Sequence, residues 1–159
     1  MILPLLLIAL QTTPVAPIKK GTGLPPPVQE EVAVLAPVTA LLAAVNARNG
    51  AAMAQQLHGP GLVTVTIERA DGSASLRQMN FADWTRGMTA GAERYDERMP
   101  SPAIEVDGDM AMVWGDYSFR VDGKLAHCGV NHLALVRTDG QWKIASIAWS
   151  QRTTGCGAE

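Results

Sequence analysis

Apolar residues recur at two different periods along this chain, and the change of period falls near residue 60. Over residues 31–47, Leu35, Val38, Leu41, Leu42 and Val45 follow the three-and-four spacing of one helix face. Pro37 is tolerated there if the helix begins only a few residues before it. Asn49 and Gly50 end this helix, a short second one follows over 51–57, and Gly59, Pro60 and Gly61 stop it. Beyond that point the pattern alternates. Residues 62–68 are β-branched and read as a strand, 75–80 as its partner, and 81–88 as a short helix with Asn80 as cap. Residues 89–102 are polar and turn-rich. From residue 103 onward, strand-forming runs are separated by Asp-Gly pairs at 107–108, 122–123 and 139–140, the signature of an antiparallel meander. Helices first and sheet afterwards predict an α+β fold with the helices on one face.

Strand parity assigns faces. If Asp122 and Gly123 form a two-residue loop, Tyr117 faces Cys128 and Val113 faces His132. One face then carries Val113, Gly115, Tyr117, Phe119, Ala126, Cys128, Val130, His132, Ala134, Ala145, Ile147 and Trp149. It is apolar with a few polar tips, the character of a ligand cavity. The other carries Met112, Trp114, Asp116, Ser118, Arg120, His127, Asn131, Leu133, Leu135, Trp142, Ile144 and Ser146, which suits an outer, partly wet or interfacial surface. A bulge would exchange the two sets locally. The ligand-contact candidates are therefore His132, Tyr117 and Trp149, with Trp84 from the short helix as a further wall; His132 and Tyr117 are also the catalytic candidates, as base and donor. The plain alternative for His132 is a packed ring bonded to backbone or water, and for the tryptophans core filling.

The stretch HCGVNH at 127–132 invites metal or nucleophile chemistry, but a strand divides it. His127 and His132 point to opposite faces, and Cys128 sits about 13 Å along the strand from His132. Without C-x-x-C or H-E-x-x-H, no metal site and no cofactor are expected. His127 is a poor base for Cys128. Cys128 is then a small buried hydrophobe or half of a disulfide with Cys156. Composition narrows the partners. With 159 residues, 47% hydrophobic, 18% charged and a net charge of −2, the chain fits one folded domain and has no basic stripe for nucleic acid. The apolar run at 1–10 is signal-peptide-like and too short to span a bilayer. Residues 1–29 are expected to be this segment and a Pro/Gly linker, 30–153 the domain, and 154–159 a flexible tail. The expected location is periplasmic or secreted, otherwise cytoplasmic.

The order of elements, with VDGDMAMVWGDYSF at 106–119 and GVNHLALVRTDGQWKIASIAWS at 129–150, resembles the NTF2-like superfamily, in particular its small SnoaL-like, DUF4440-like and lumazine-binding-like members. The resemblance implies a cone in which N-terminal helices pack on a strongly bent antiparallel sheet around an apolar pocket, and a homodimer formed through the sheet. It is silent about chemistry, because such folds host enzymes and non-enzymes alike. Enzymes of this group pair a carboxylate with a phenolic or acidic donor, or histidine with aspartate. The inward set lacks a carboxylate, so one would have to come from Asp83, Asp96 or Glu68. The leading expectation is therefore a binder of a small apolar ligand. The alternatives are an acid–base isomerase, dehydratase or cyclase using His132 and Tyr117, and an interaction scaffold acting through the sheet face.

Overall fold

A computed structural model describes residues 28–157. The signal-peptide-like run and most of the linker expected at 1–29 lie outside the described residues, as do 158 and 159. Helix α1 spans Val28–Asn46 and α2 spans Gly50–Ala54. Strands β1 (Leu57–Glu68) and β2 (Ala74–Asn80) follow, then α3 (Phe81–Gly87), β3 (Tyr95–Arg98), β4 (Ala103–Asp107), β5 (Met110–Val121), β6 (Lys124–Thr138) and β7 (Gln141–Gln151). No helix among the described residues is long and apolar enough to cross a membrane.

The α1 stripe does what its spacing predicts. Val34, Val38, Leu41, Ala44 and Val45 are buried, with Leu35 and Leu42 packed beside them. The helix begins earlier than expected, so Pro37 lies well inside it and removes one amide from its ladder. Asn49 does not only end α1; its side chain accepts from Ala52 N at 3.0 Å and caps α2. Asn80 caps α3 in the same way, accepting from Asp83 N at 2.8 Å.

Asp122 with Gly123, and Asp139 with Gly140, all adopt positive φ, the geometry of tight two-residue hairpins. Val121 therefore opposes Lys124, and Thr138 opposes Gln141. The sheet runs β2-β1-β7-β6-β5-β3, with β4 also pairing β5. Two features depart from the antiparallel, strongly bent sheet expected. The sheet is mixed rather than antiparallel, because β1 runs parallel to β7. It is also open and not strongly curled, so the strongly bent cone does not describe it. Hairpin turns report only consecutive neighbours. A pairing between the first and last strands, and the curvature set by bulge positions, leave no mark in local alternation.

Two bulges overturn the face assignment. Phe119 opposes His127 and Arg120 opposes Leu125, so Ala126 is an extra residue in β6. Ala134 opposes Ser146 and Leu135 opposes Ile144, so Ala145 is extra in β7. Each reverses the faces of the residues on one side of it. The β5 residues Val113, Gly115, Tyr117 and Phe119 keep their expected side. On β6 the inward residues are His127, Asn131, Leu133 and Leu135, and on β7 Trp142, Ile144, Ile147 and Trp149 share the core face. The reason is burial: Leu133, Leu135, Trp142 and Ile144 are far larger apolar groups than the alanines, Cys128 and Val130 they displace, and each large aliphatic group buried contributes about 1.5–3 kcal/mol.

Candidate functional site

Beneath α1, the inner face of the sheet leaves a cavity of about 150 Å³. Leu41, Leu42 and Val45 form its α1 side, and Trp84 and Met88 come from α3 and the residue after it. Tyr117 and Phe119 of β5, His127, Asn131 and Leu133 of β6, and Ile147, Trp149 and Gln151 of β7 complete the wall with Glu97 of β3. The indoles of Trp84 and Trp149 lie 6.0 Å apart and tilted. An apolar space of this size accommodates a single-ring molecule.

The polar groups converge on one side. Glu97 Oε1 accepts from Asn131 Nδ2 at 2.9 Å. Its backbone is clamped to α1: Glu97 N donates to Asn46 Oδ1 at 2.6 Å, and Asn46 Nδ2 donates to Glu97 O at 3.1 Å. Burial pushes the Glu97 carboxyl above its ordinary range, opposed only in part by the bond from Asn131. Oε2 has no protein partner among the described residues.

Tyr117 OH lies 3.0 Å from Ser150 O and 3.1 Å from His127 Nδ1. Burial and the nearby Glu97 carboxylate raise the phenol, so it stays protonated. His127 stacks on Phe119 at 4.8 Å and meets Tyr117 edge-on. Burial lowers its pKa, so the ring is neutral near pH 7. The site therefore offers a carboxyl group whose neutral form is favoured by burial, a neutral imidazole and a phenol in a largely apolar space. That combination can give a proton at one point and take one at another.

Of the residues expected at the site, Tyr117, Trp149 and Trp84 line the cavity. His132 does not. The Ala126 bulge turns it to the outer face, where its ring sits 5.7 Å from that of Trp114, itself about half exposed. His127, expected outside, takes the inward position. The carboxylate comes from none of the three expected residues. Asp83 pairs with Arg86 at 2.7 Å and Asp96 with Arg98 at 2.7 Å, both away from the cavity, and Glu68 ends β1. Glu97 is one residue from Asp96, on a short strand within the segment that reads as turns. A faint signal exists: in YDER, Tyr95 and Glu97 share one parity and Asp96 and Arg98 the other.

Cys128 is bonded to Cys156, with Cα atoms 5.7 Å apart, which excludes it as a free nucleophile. The residues expected to form a flexible tail are thus tied to β6 at Cys156. Among the described residues no three or more His, Cys, Asp or Glu side chains converge as a metal site.

A SnoaL-like domain matches residues 34–153. The chain belongs to the SnoaL-like family. Several solved structures share the fold of this SnoaL-like chain. A protein of unknown function with a cystatin-like fold from Nostoc punctiforme has 8% identity and a TM-score of 0.60, covering 82% of this chain and 97% of that one. A protein of unknown function from Mycobacterium tuberculosis has 20% identity and a TM-score of 0.59, covering 77% and 72%. An NTF2-like protein from Cytophaga hutchinsonii has 14% identity and a TM-score of 0.58, covering 77% and 98%. At these identities the likeness is one of fold alone. No curated protein matches this SnoaL-like chain at a significant level.

Proposed function

We propose that this SnoaL-like protein is an acid–base enzyme acting on a small, largely apolar, single-ring molecule. One observation carries the reading: Glu97 and His127, both shifted toward their neutral forms by burial, line the same apolar cavity. In this reading His127 removes a proton from carbon next to a carbonyl, and Glu97, in its acid form, donates to the oxygen where charge develops. Trp84 and Trp149 hold the ring of the substrate. The expectation of a binder without chemistry depends on the lack of an inward carboxylate, and Glu97 supplies one. The Cys128–Cys156 bond supports export to an oxidising compartment.

The test is proton exchange. Single-ring ketones, cyclohexanone first, are incubated with the protein in D2O and deuterium at the α-carbon is followed by NMR. Binding is read in parallel from tryptophan fluorescence. Exchange above the buffer rate is expected, falling by about 10²- to 10⁴-fold in Glu97→Gln and His127→Gln. Ketones that bind without exchanging would leave a ligand binder and end the enzymatic reading.

A further inference from the structure

Tyr117 touches two groups with a single hydroxyl proton, and that fixes the direction of both hydrogen bonds. Ser150 O is a carbonyl and can only accept. If the phenol gave its proton to His127 Nδ1 instead, its contact with Ser150 O would be oxygen against oxygen with no proton between them. If it gives the proton to Ser150 O at 3.0 Å, its lone pair accepts from His127 Nδ1–H at 3.1 Å and both contacts are satisfied. We infer that Tyr117 and the Ser150 carbonyl act together as a positioning device that holds neutral His127 in the Nδ1–H tautomer, leaving Nε2 as its proton acceptor. The inference takes its catalytic meaning from the acid–base reading, but it stands on the hydrogen bonds alone.

The backbone is arranged to make that carbonyl available. Asn131 opposes Trp149, and Cys128 forms an isolated bridge to Arg152. Between them Val130 N turns to the Ser150 side chain, donating to Oγ at 3.0 Å. Gly129 lies against Ser150 so closely that a Cβ there would collide with the Ser150 carbonyl and hydroxyl. A side chain at 129 would push β7 away and take the acceptor from Tyr117. The bulge at Ala126 brings His127 to the same face as Tyr117. Glycine, serine and bulge thus converge on one hydroxyl.

The arrangement works in both protonation states. When His127 takes up a proton at Nε2, Nδ1 remains a donor, and the chain from Nδ1–H through the phenol to the carbonyl keeps its direction. The cation gains a partner without any hydrogen being reoriented, the condition for a preorganised base. The opposite tautomer would have to reverse the Tyr117 bond on every proton transfer. Among the described residues no hydrogen bond is made to His127 Nε2, and the ring lines the cavity.

Long-range 1H–15N NMR of the full, disulfide-bonded protein labelled at histidine tests this at a pH where the rings are neutral. His58→Gln and His132→Gln, both outside the cavity, assign the His127 signals. The wild type is expected to show protonated Nδ1 and unprotonated Nε2 at His127. Tyr117→Phe is expected to exchange the two, toward the Nε2–H form that histidines without such a partner favour. An Nε2–H ring in the wild type overturns the inference, and this holds even if the variant fails to fold. Retention of the Nδ1–H form in a folded Tyr117→Phe overturns the role given to Tyr117. The two proposals fail separately: the expected tautomer with no ketone exchange removes the enzymatic reading alone, whereas exchange with an Nε2–H ring removes the positioning device alone.

Discussion

Replacing Cys156 by alanine opens the covalent loop while leaving the buried Cys128 side chain in place. The two cysteines are 28 positions apart, and closing a loop of that length restricts the unfolded chain by about 3.6 kcal/mol at 25 °C. The 130 residues from 28 to 157 carry an unfolding entropy of about 2.1 cal/mol/K each, so the same loss corresponds to about 13 °C in Tm. The assay is urea unfolding with reductant present, comparing the variant with the reduced wild type. Both open the same loop, so their midpoints should coincide. Both should also unfold with a steeper denaturant dependence than the oxidised wild type, because the freed unfolded chain exposes more surface. A loss below about 1 kcal/mol would refute the argument, since the loop term alone predicts more than three times that. A large difference between the variant and the reduced wild type would refute it too, by locating the stabilisation in packing around Cys156.

Two further outcomes follow from the cavity's polar side. Glu97 has a carboxyl raised by burial from an ordinary value of 4.5, so in the fold it holds its proton to higher pH than in the unfolded chain. Stability from this group is complete below 4.5 and is lost as pH rises toward the folded-state value; Glu97→Gln should therefore gain stability relative to wild type as pH rises above 4.5 in thermal melts, and a gain independent of pH would contradict burial as the cause. Gly129→Ala should cost about 1–3 kcal/mol in urea unfolding, because the added methyl group meets the Ser150 backbone rather than a mobile side chain; a neutral result would mean that β6 and β7 separate there without strain.

Much of the architecture is legible in residue order. The α1 stripe, the Asn80 cap and the Asp-Gly hairpins are local devices, each decided by a few adjacent residues and their allowed dihedrals, and each occurs where the pattern puts it. The site is less legible. Tyr117, Trp149 and Trp84 reach the cavity, but His132 and His127 exchange roles because one extra residue at Ala126 reverses a period-two pattern. Leu133 and Leu135 are the signal against that parity: sending two leucines outward and Ala126 and Ala134 inward works against burial.

By itself the sequence determined the α+β class, the helical face of α1, the long strands and their hairpin turns, and the family likeness of 106–119 and 129–150. These follow from interactions among near neighbours in the chain. Only the tertiary structure decided the parallel pairing of β1 with β7, the modest curl of the sheet, the two bulges, the cysteine bond, and the meeting of Glu97, Asn131, Tyr117 and His127. Glu97 lies 51 positions from Asn46 and 34 from Asn131, the two residues that hold it. Its acidity is set by surroundings that exist only when those distant segments close over it, and no local pattern encodes the burial of a carboxyl group.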